Sequence, residues 1–414
     1  MKKISILTLL VALVAVMAGP AQAAFTVGGE NGWSLGTDGI VNIFGAYQTQ
    51  NGSADASGLL GAPNEQKFGV RVGLLPSIIA FNVKAPTTNG IDSSVRVAFY
   101  PNVQNTSTQR FNTSPNIDNR EFFYTASGKF GSFLAGRALN LFQGQNILND
   151  MTLFTAGVVD MTAVHGGTSL GHIGYGYLYT NFGPQFRYTT PDMGGVKVAV
   201  LIGEPYAISG ATAKTNVPRF EAEVSYATTF KGGSVHAWLE GIAQTDTRAA
   251  TGVARPQGTN TSIGFAPGVN VAFGPVGIMA SGYYGGGLGM VSAQDGGAFV
   301  AGTANAGSYN GVDAGGNMRT NWGFLGQATF QVSDSIRLAA NYGANHQNKT
   351  DFEGRAGNAN PGLMKCQEAA VIQLNYNLNK FTQFTLEGIW AQNTTQGGAK
   401  LRSNQVALGT VFFW

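Results

Sequence analysis

Residues 370–390, Ala370-Val-Ile-Gln-Leu-Asn-Tyr376-Asn-Leu-Asn-Lys380-Phe-Thr-Gln-Phe384-Thr-Leu-Glu-Gly-Ile-Trp390, read as two strands joined by a tight turn. Ala370, Ile372, Leu374 and Tyr376 fall on one side, Gln373 and Asn375 on the other. Beyond Asn377–Lys380 the pattern resumes, with Phe384, Leu386, Gly388 and Trp390 opposing Thr385 and Glu387. A period of two sends successive side chains to opposite faces, so each strand has one apolar and one polar face. Phe68, Val70, Val72 and Leu74 alternate in the same way with Lys67, Gly69, Arg71 and Gly73. So do Phe220–Tyr226 against Glu221, Glu223 and Ser225, and Ile336–Tyr342 against Arg337, Ala339 and Asn341.

Two architectures accommodate that alternation. In a soluble sandwich the apolar faces meet in a core and the polar faces carry abundant charge. In a membrane barrel the apolar faces meet lipid and the polar faces line a wet interior. Only 11% of the 414 residues are charged, far below the roughly 25–35% of a soluble surface. Many alternating segments are about 8 to 11 residues long, close to the ~9–11 that a tilted strand needs to cross hydrocarbon. Aromatic residues gather at strand ends (Tyr47, Tyr100, Tyr188, Phe230, Phe273, Phe330, Tyr376, Phe381, Trp390), as interfacial girdles require. Composition excludes other classes. The 26 Phe, 14 Tyr and 5 Trp argue against disorder, and a single cysteine forbids a disulfide framework.

At the N-terminus Met1-Lys2-Lys3 is a short positive region and Ile4–Ala18 an apolar one too short to span a bilayer. Gly19-Pro20 break it, and Ala21-Gln22-Ala23 fits a small-x-small cleavage site. The expectation is a cleaved signal peptide over 1–23 and one barrel domain over 24–414. Loss of Lys2 and Lys3 leaves the chain close to neutral, so no basic surface favours nucleic acid.

Turn lengths alternate. Tight turns at Gly128–Gly131, Met193–Gly195, Lys231–Gly233, Gly274–Pro275, Ser333–Asp334 and Asn377–Lys380 are separated by long polar segments, among them Leu139–Gly176, Gly286–Thr320 and Gln392–Ser403. Short inner turns and long outer loops are a barrel pattern. Counting up and down gives an all-β, 16-stranded antiparallel barrel. Its strands run over 39–49, 66–84, 94–100, 119–127, 132–138, 178–190, 195–203, 218–228, 234–244, 262–273, 276–285, 321–330, 335–343, 368–377, 382–391 and 404–414. The second is read as one strand bent at Pro76, and a hairpin within 286–320 would raise the count to 18.

Catalytic signals are decoys. Gly167-Thr-Ser169-Leu-Gly171 matches a nucleophile elbow but lies in a glycine-rich loop, without the strand and helix that motif needs. His165 and His172 flank it at a spacing that does not suit a metal. The sequence therefore assigns no catalytic residue, metal or cofactor, and Cys366 reads as a small packed residue or a free thiol. More informative are Lys67, Arg71, Arg96, Arg137 and Arg187, read as polar-face residues of the first six strands. Such a basic wall would set a transverse field against Asp150 and Asp160, the acids of an inward-folded 139–176 loop, and bias which solutes cross.

Tyr124-Thr-Ala-Ser-Gly-Lys-Phe-Gly-Ser-Phe-Leu-Ala-Gly-Arg137 resembles the G-x-x-G-x-F-G-x-x-x-x-G-R strand–turn–strand of general diffusion porins, with Ala126 in place of the first glycine. Phe186-Arg-Tyr-Thr-Thr-Pro-Asp-Met-Gly-Gly195 is similar to that family's next hairpin, with Thr190 for Ser and Met193 for Phe. The end of the chain, with Gly409, Phe412 and Trp414, resembles the family's C-terminal assembly signal. The resemblance implies a homotrimer of barrels in the outer-membrane lipid of a Gram-negative cell, inserted by a barrel assembly machinery that reads the terminal aromatic. It implies a third loop folded in as an eyelet opposite arginines, with Arg137 the firmest match. The function expected is a water-filled channel for passive diffusion of small hydrophilic solutes and ions. The alternatives are a substrate-preferring sugar or anion channel of 18 strands, an outer-membrane enzyme using Ser169 with His165 or His172, and an adhesive or structural barrel.

Overall fold

Backbone pairing carries the alternation seen in the sequence into one closed sheet. The computed structural model describes residues 25–53, 64–103, 117–159, 168–208, 212–248, 258–291 and 311–414. Among them, sixteen antiparallel strands form a barrel: β1 (Ser34–Gly52), β2 (Gln66–Arg71, resumed at Ile78–Lys84), β3 (Asp92–Pro101), β4 (Ile117–Gly128), β5 (Gly131–Leu139), β6 (Phe182–Thr189), β7 (Val196–Gly203) and β8 (Arg219–Phe230). The second half comprises β9 (Gly233–Arg248), β10 (Gly258–Phe273), β11 (Val276–Gly286), β12 (Thr320–Gln331), β13 (Ile336–Gln347), β14 (Met364–Asn377), β15 (Thr382–Thr395) and β16 (Lys400–Phe413). Each strand pairs with its chain neighbours, and β16 returns to β1 with Leu401 opposite Gly52 and Phe413 opposite Ile40. Closure leaves no sheet edge, the condition for strands to cross a membrane.

The bent second strand is observed. Both halves of β2 pair with β1, Arg71 opposite Phe44 and Ile78 opposite Ile40. Pro76 lies in the break, where it has no N–H to give a ladder. The expected continuation of the outward face through Val72 and Leu74 is not observed, because both are buried. The chain from Val72 to Ser77 leaves the wall and turns inward. The Asn42 side chain meets the backbone exposed there, accepting from the N–H of Gly73 at 2.7 Å and donating to the Leu75 carbonyl at 2.7 Å.

The 18-strand alternative is corrected: β11 pairs directly with β12, Val276 opposite Phe330 through Gly286 opposite Thr320, so nothing from 286–320 enters between them. Two short strands were not anticipated. Phe25–Gly28 pairs with the start of β1, and Thr212–Lys214 with the end of β9. Strands also overrun their expected limits at the long-loop end. β14 begins at Met364 and β16 at Lys400, so the link expected over 392–403 shrinks to 396–399. Backbone pairing continues past the height at which lipid demands an apolar face.

Burial is inverted relative to a soluble sheet. In β14 Ile372 is 65% exposed while Gln373 is 4% exposed, and in β15 Leu386 faces outward beside buried Thr385 and Glu387. Apolar side chains look out and polar ones look in, as hydrocarbon outside and water within require. No helix among the described residues is long and apolar enough to cross a membrane. Most aromatic residues expected in girdles are exposed, and Phe230 and Phe273 stack with ring centroids 6.4 Å apart. Trp390 is half-buried, and Tyr100 departs fully. It is fully buried, faces inward and donates its hydroxyl to Glu121 at 2.8 Å.

Candidate constriction site

Between β5 and β6 the described residues 140–159 and 168–181 fold into the barrel. The short helix α1 (Gly144–Asn149) follows Gln143, which has a left-handed backbone (φ 70°) and makes no side-chain cap. A helix start leaves N–H groups without intrahelical acceptors, and here the barrel wall supplies them. Glu240 of β9 accepts the N–H of Gln143 at 2.7 Å and of Gln145 at 2.6 Å. Glu221 of β8 accepts those of Leu141 and Phe142, each at 2.8 Å.

Farther round the wall, Glu387 of β15 accepts from the Thr155 hydroxyl at 2.8 Å and the Ala156 N–H at 2.9 Å. Gln327 of β12 receives the Met151 N–H, and Gln405 of β16 that of Val159, both at 2.9 Å. On the same side, two strands beyond β16, the inward break of β2 meets the same segment, the Leu74 N–H donating to the Thr155 carbonyl at 2.9 Å.

Apolar packing completes the crossing. Ile147, Leu153, Ile173 and Tyr177 of the inserted segment share one buried cluster with Leu74 and Leu75 of β2. Trp238, Met279 and Leu325, pointing inward from β9, β11 and β12, belong to the same cluster. Trp238 donates its indole N–H to Asn146 at 3.0 Å. A Cβ on Gly268, opposite it on β10, would come within 2.1 Å of the indole ring, so only glycine leaves the ring its place. The segment therefore spans from wall to wall and does not merely fringe the lumen.

The basic residues expected on one wall separate on inspection. Lys67, Arg71, Arg96 and Arg187 lie on the inward face, paired across the sheet with Gln48, Phe44, Asn82 and Leu201. Lys67 is 2.8 Å from Glu65. Arg71 is buried. Arg96 bridges two acids, 2.8 Å from Asp38 and 3.0 Å from Glu121. Arg187 donates to the Leu139 carbonyl at the base of the inserted segment.

Arg137 does not join them. It stands opposite Phe122, which is 64% exposed, and Pro184, so its side chain points away from the lumen. Residues directly opposite on antiparallel strands share a face, and Ala135 and Phe133, two and four residues earlier, are the outward positions of β5. At the rim its guanidinium donates to the Phe182 carbonyl.

The loop acids also depart from the expected field. Asp150 is buried and bound within its own segment, accepting from the Tyr177 hydroxyl at 2.7 Å and the Thr152 N–H at 2.8 Å. Asp160 lies outside the described residues. The acids that matter at this level belong to the wall and hold loop backbone. Sequence reading also passed over Arg219, whose Nε is 2.6 Å from Glu221 and whose guanidinium lies 4.0 Å above the Tyr206 ring. Its signal was available, since it begins β8 on the same parity as Glu221 and Glu223.

Among the described residues, Ser169 and His172 are not brought together for catalysis. Ser169 is buried with no hydrogen-bond partner for its hydroxyl among the described residues. The His172 ring is taken up by the Tyr175 carbonyl at 2.9 Å and the Asn341 side chain at 2.7 Å. Gly167 and His165 lie outside the described residues. No group of three His, Cys, Asp or Glu side chains among the described residues could hold a metal. Cys366 is half-buried with its Sγ 3.7 Å from His346 Nε2.

At the C-terminus Trp414 exchanges two backbone hydrogen bonds with Gly39, both 3.1 Å, and Phe412 faces outward. Gly409 leaves room for the Phe44 ring, which a Cβ there would meet at 2.1 Å.

Against protein-family models, residues 9–396 match that of the Gram-negative porins. The chain belongs to the Gram-negative porin family. The fold of this porin is similar to that of the outer membrane channel DcaP of Acinetobacter baumannii, with a TM-score of 0.64 at 15% identity over 93% of this chain and 99% of that one. It is similar also to an anion-selective porin from Comamonas acidovorans, with a TM-score of 0.57 at 13% identity over 92% and 100% of the two chains. The outer membrane protein OmpT of Vibrio cholerae follows, at 0.54 and 12% identity over 93% and 99%. No curated protein sequence matches this porin. Family and barrel together place it in the outer membrane as a diffusion channel, a fold and family of channels and not of enzymes.

Proposed function

We propose that this porin passes small hydrophilic solutes and ions passively, without a bound cofactor or a chemical step, and works as a homotrimer in outer-membrane lipid. The observation that supports it is the inversion of burial. On β14 and β15 Gln373, Thr385 and Glu387 face inward while Ile372, Leu374 and Leu386 face outward. Across the lumen the inserted segment narrows the route, and the inward-facing Arg71 and Arg187 are proposed as its basic lining. Residues 1–23 are proposed to be removed on export, and Gly409, Phe412 and Trp414 to guide insertion by the assembly machinery.

Planar-bilayer recording of the refolded protein tests the channel reading. Discrete, long-lived conductance steps in potassium chloride are expected, and their absence at saturating protein would overturn it. Native mass spectrometry from mild detergent tests the trimer, with a purely monomeric mass as the contrary result.

A further inference from the structure

The outer mouth carries a feature that the diffusion reading does not use. After β11 the chain returns to β12 through residues 311–319, and after β13 it runs through 348–363 before β14. These two outer segments are fastened to each other. Arg319 and Glu353, both almost fully buried, pair at 2.7 Å. Asp313 accepts the Asn317 N–H at 2.8 Å and the Thr350 hydroxyl. From below, Arg248 at the end of β9 donates to the Gly316 carbonyl at 3.0 Å, and a side chain on Gly316 (φ +90°) would collide with that guanidinium.

Between the fastened segments lies a recess of about 640 Å³, open to solvent. That volume is within the ~300–1,000 Å³ of small-molecule sites. Lys349 and Arg355 stand on its wall and neither makes an ion pair among the described residues, while Asp351 is the single acid. Asn317 and Thr320 add polar groups, and the half-buried Phe352 ring adds an apolar surface. Two cations, hydrogen-bond donors and one aromatic face form a complement to an anion with an apolar body.

We propose that this pocket is a capture site for small organic anions, carboxylate or phosphate, at the outer entrance. Its walls are set by the Arg319–Glu353 and Asp313 contacts, with Lys349 and Arg355 exposed on them to meet an incoming anion. The proposal rests on the channel reading only for which side of the membrane the pocket faces.

Isothermal titration of the full-length porin in detergent with benzoate and with phenyl phosphate tests it, benzyl alcohol serving as the neutral control. Saturable binding of at least one anion is expected, with none for the alcohol. Affinity should fall about tenfold or more in Lys349→Ala/Arg355→Ala and rise in Asp351→Asn. Absence of saturable anion binding, or equal affinity in wild type and the double variant, overturns the proposal. Conductance in potassium chloride is measured on the same preparations. Its absence in the wild type would count against the channel and not against the pocket.

Discussion

The carboxylate of Glu240, on the barrel wall, lies 2.6 Å from the backbone nitrogen of Gln145, in the first turn of a helix that the chain carries into the lumen. A helix whose own preceding residue offers no cap is thus capped by a strand about a hundred residues farther along.

Removing that acceptor should loosen the constriction. Glu240→Ala leaves two buried N–H groups unmet, at a cost of about 1–3 kcal/mol each, whereas Glu240→Gln keeps an oxygen to receive one. Single-channel recording should show larger, noisier openings for the alanine variant and an intermediate trace for glutamine. An alanine variant with unaltered current and noise would mean that the segment is held by its apolar cluster alone.

Arg96 should prove structural. Because it sits between Asp38 and Glu121, Arg96→Glu would gather three carboxylates where one cation now holds two. Breaking such a buried set typically costs about 3–5 kcal/mol. The variant should refold in markedly lower yield, read by the heat-modifiable mobility of folded barrels in electrophoresis. Wild-type yield with only a change in reversal potential would show that Arg96 acts as a free lining charge.

Charge reversal distinguishes the two arginines flanking the inserted segment. Arg187→Glu should move the reversal potential toward cation preference, because the side chain faces inward. Arg137→Glu should leave it unchanged, because the side chain faces outward at the rim. A shift of similar size in both would contradict the register of β5.

Closure of the sheet depends on Gly39 and Trp414. A Cβ on Gly39 would approach the Trp414 ring to 2.1 Å and the Ile78 carbonyl to 2.5 Å. Gly39→Val should therefore slow barrel folding about as much as deletion of Trp414, measured by refolding kinetics in detergent micelles. Normal rates in both would show that β16 closes on β1 without its last residue.

Acid should loosen the outer mouth first. Burial pushes the Asp313 carboxyl up, but hydrogen bonds from Thr350, Asn317 and the Gly315 backbone outweigh it and hold it below the ordinary aspartate value. A depressed value stabilises the folded loops above the ordinary pKa, and the contribution is lost as pH falls through the depressed one. Amides of residues 311–319 should lose hydrogen-exchange protection on the acid side of about pH 4, and Asp313→Asn should remove that dependence. Equal acid sensitivity in the variant would assign the effect to another group.

Alternation was legible wherever one face of a strand meets lipid and the other water, and it located the strands, the bend at Pro76 and the order of short and long links. It failed where the inserted segment lands. Trp238 beside Leu239, Met279 beside Ile278 and Leu325 beside Phe324 put apolar residues on both parities, because there both faces of the strand are covered. In sequence those doublets look like noise. Arg137 was misassigned for a related reason: near a strand end a single residue cannot announce its face, and only its pairing with Phe122 and Pro184 does so.

What the chain's own order of residues determined is the wall, since side-chain direction in a strand follows from a local period of two that lipid and water read separately. What only the tertiary structure decided is the content of the lumen. Glu221, Glu240 and Glu387 look in sequence like charges for passing solutes, yet they are occupied by backbone N–H groups of a segment about 80 to 230 residues away. Such a partnership depends on where a loop falls once the barrel has closed, and no local pattern of residues encodes that distance.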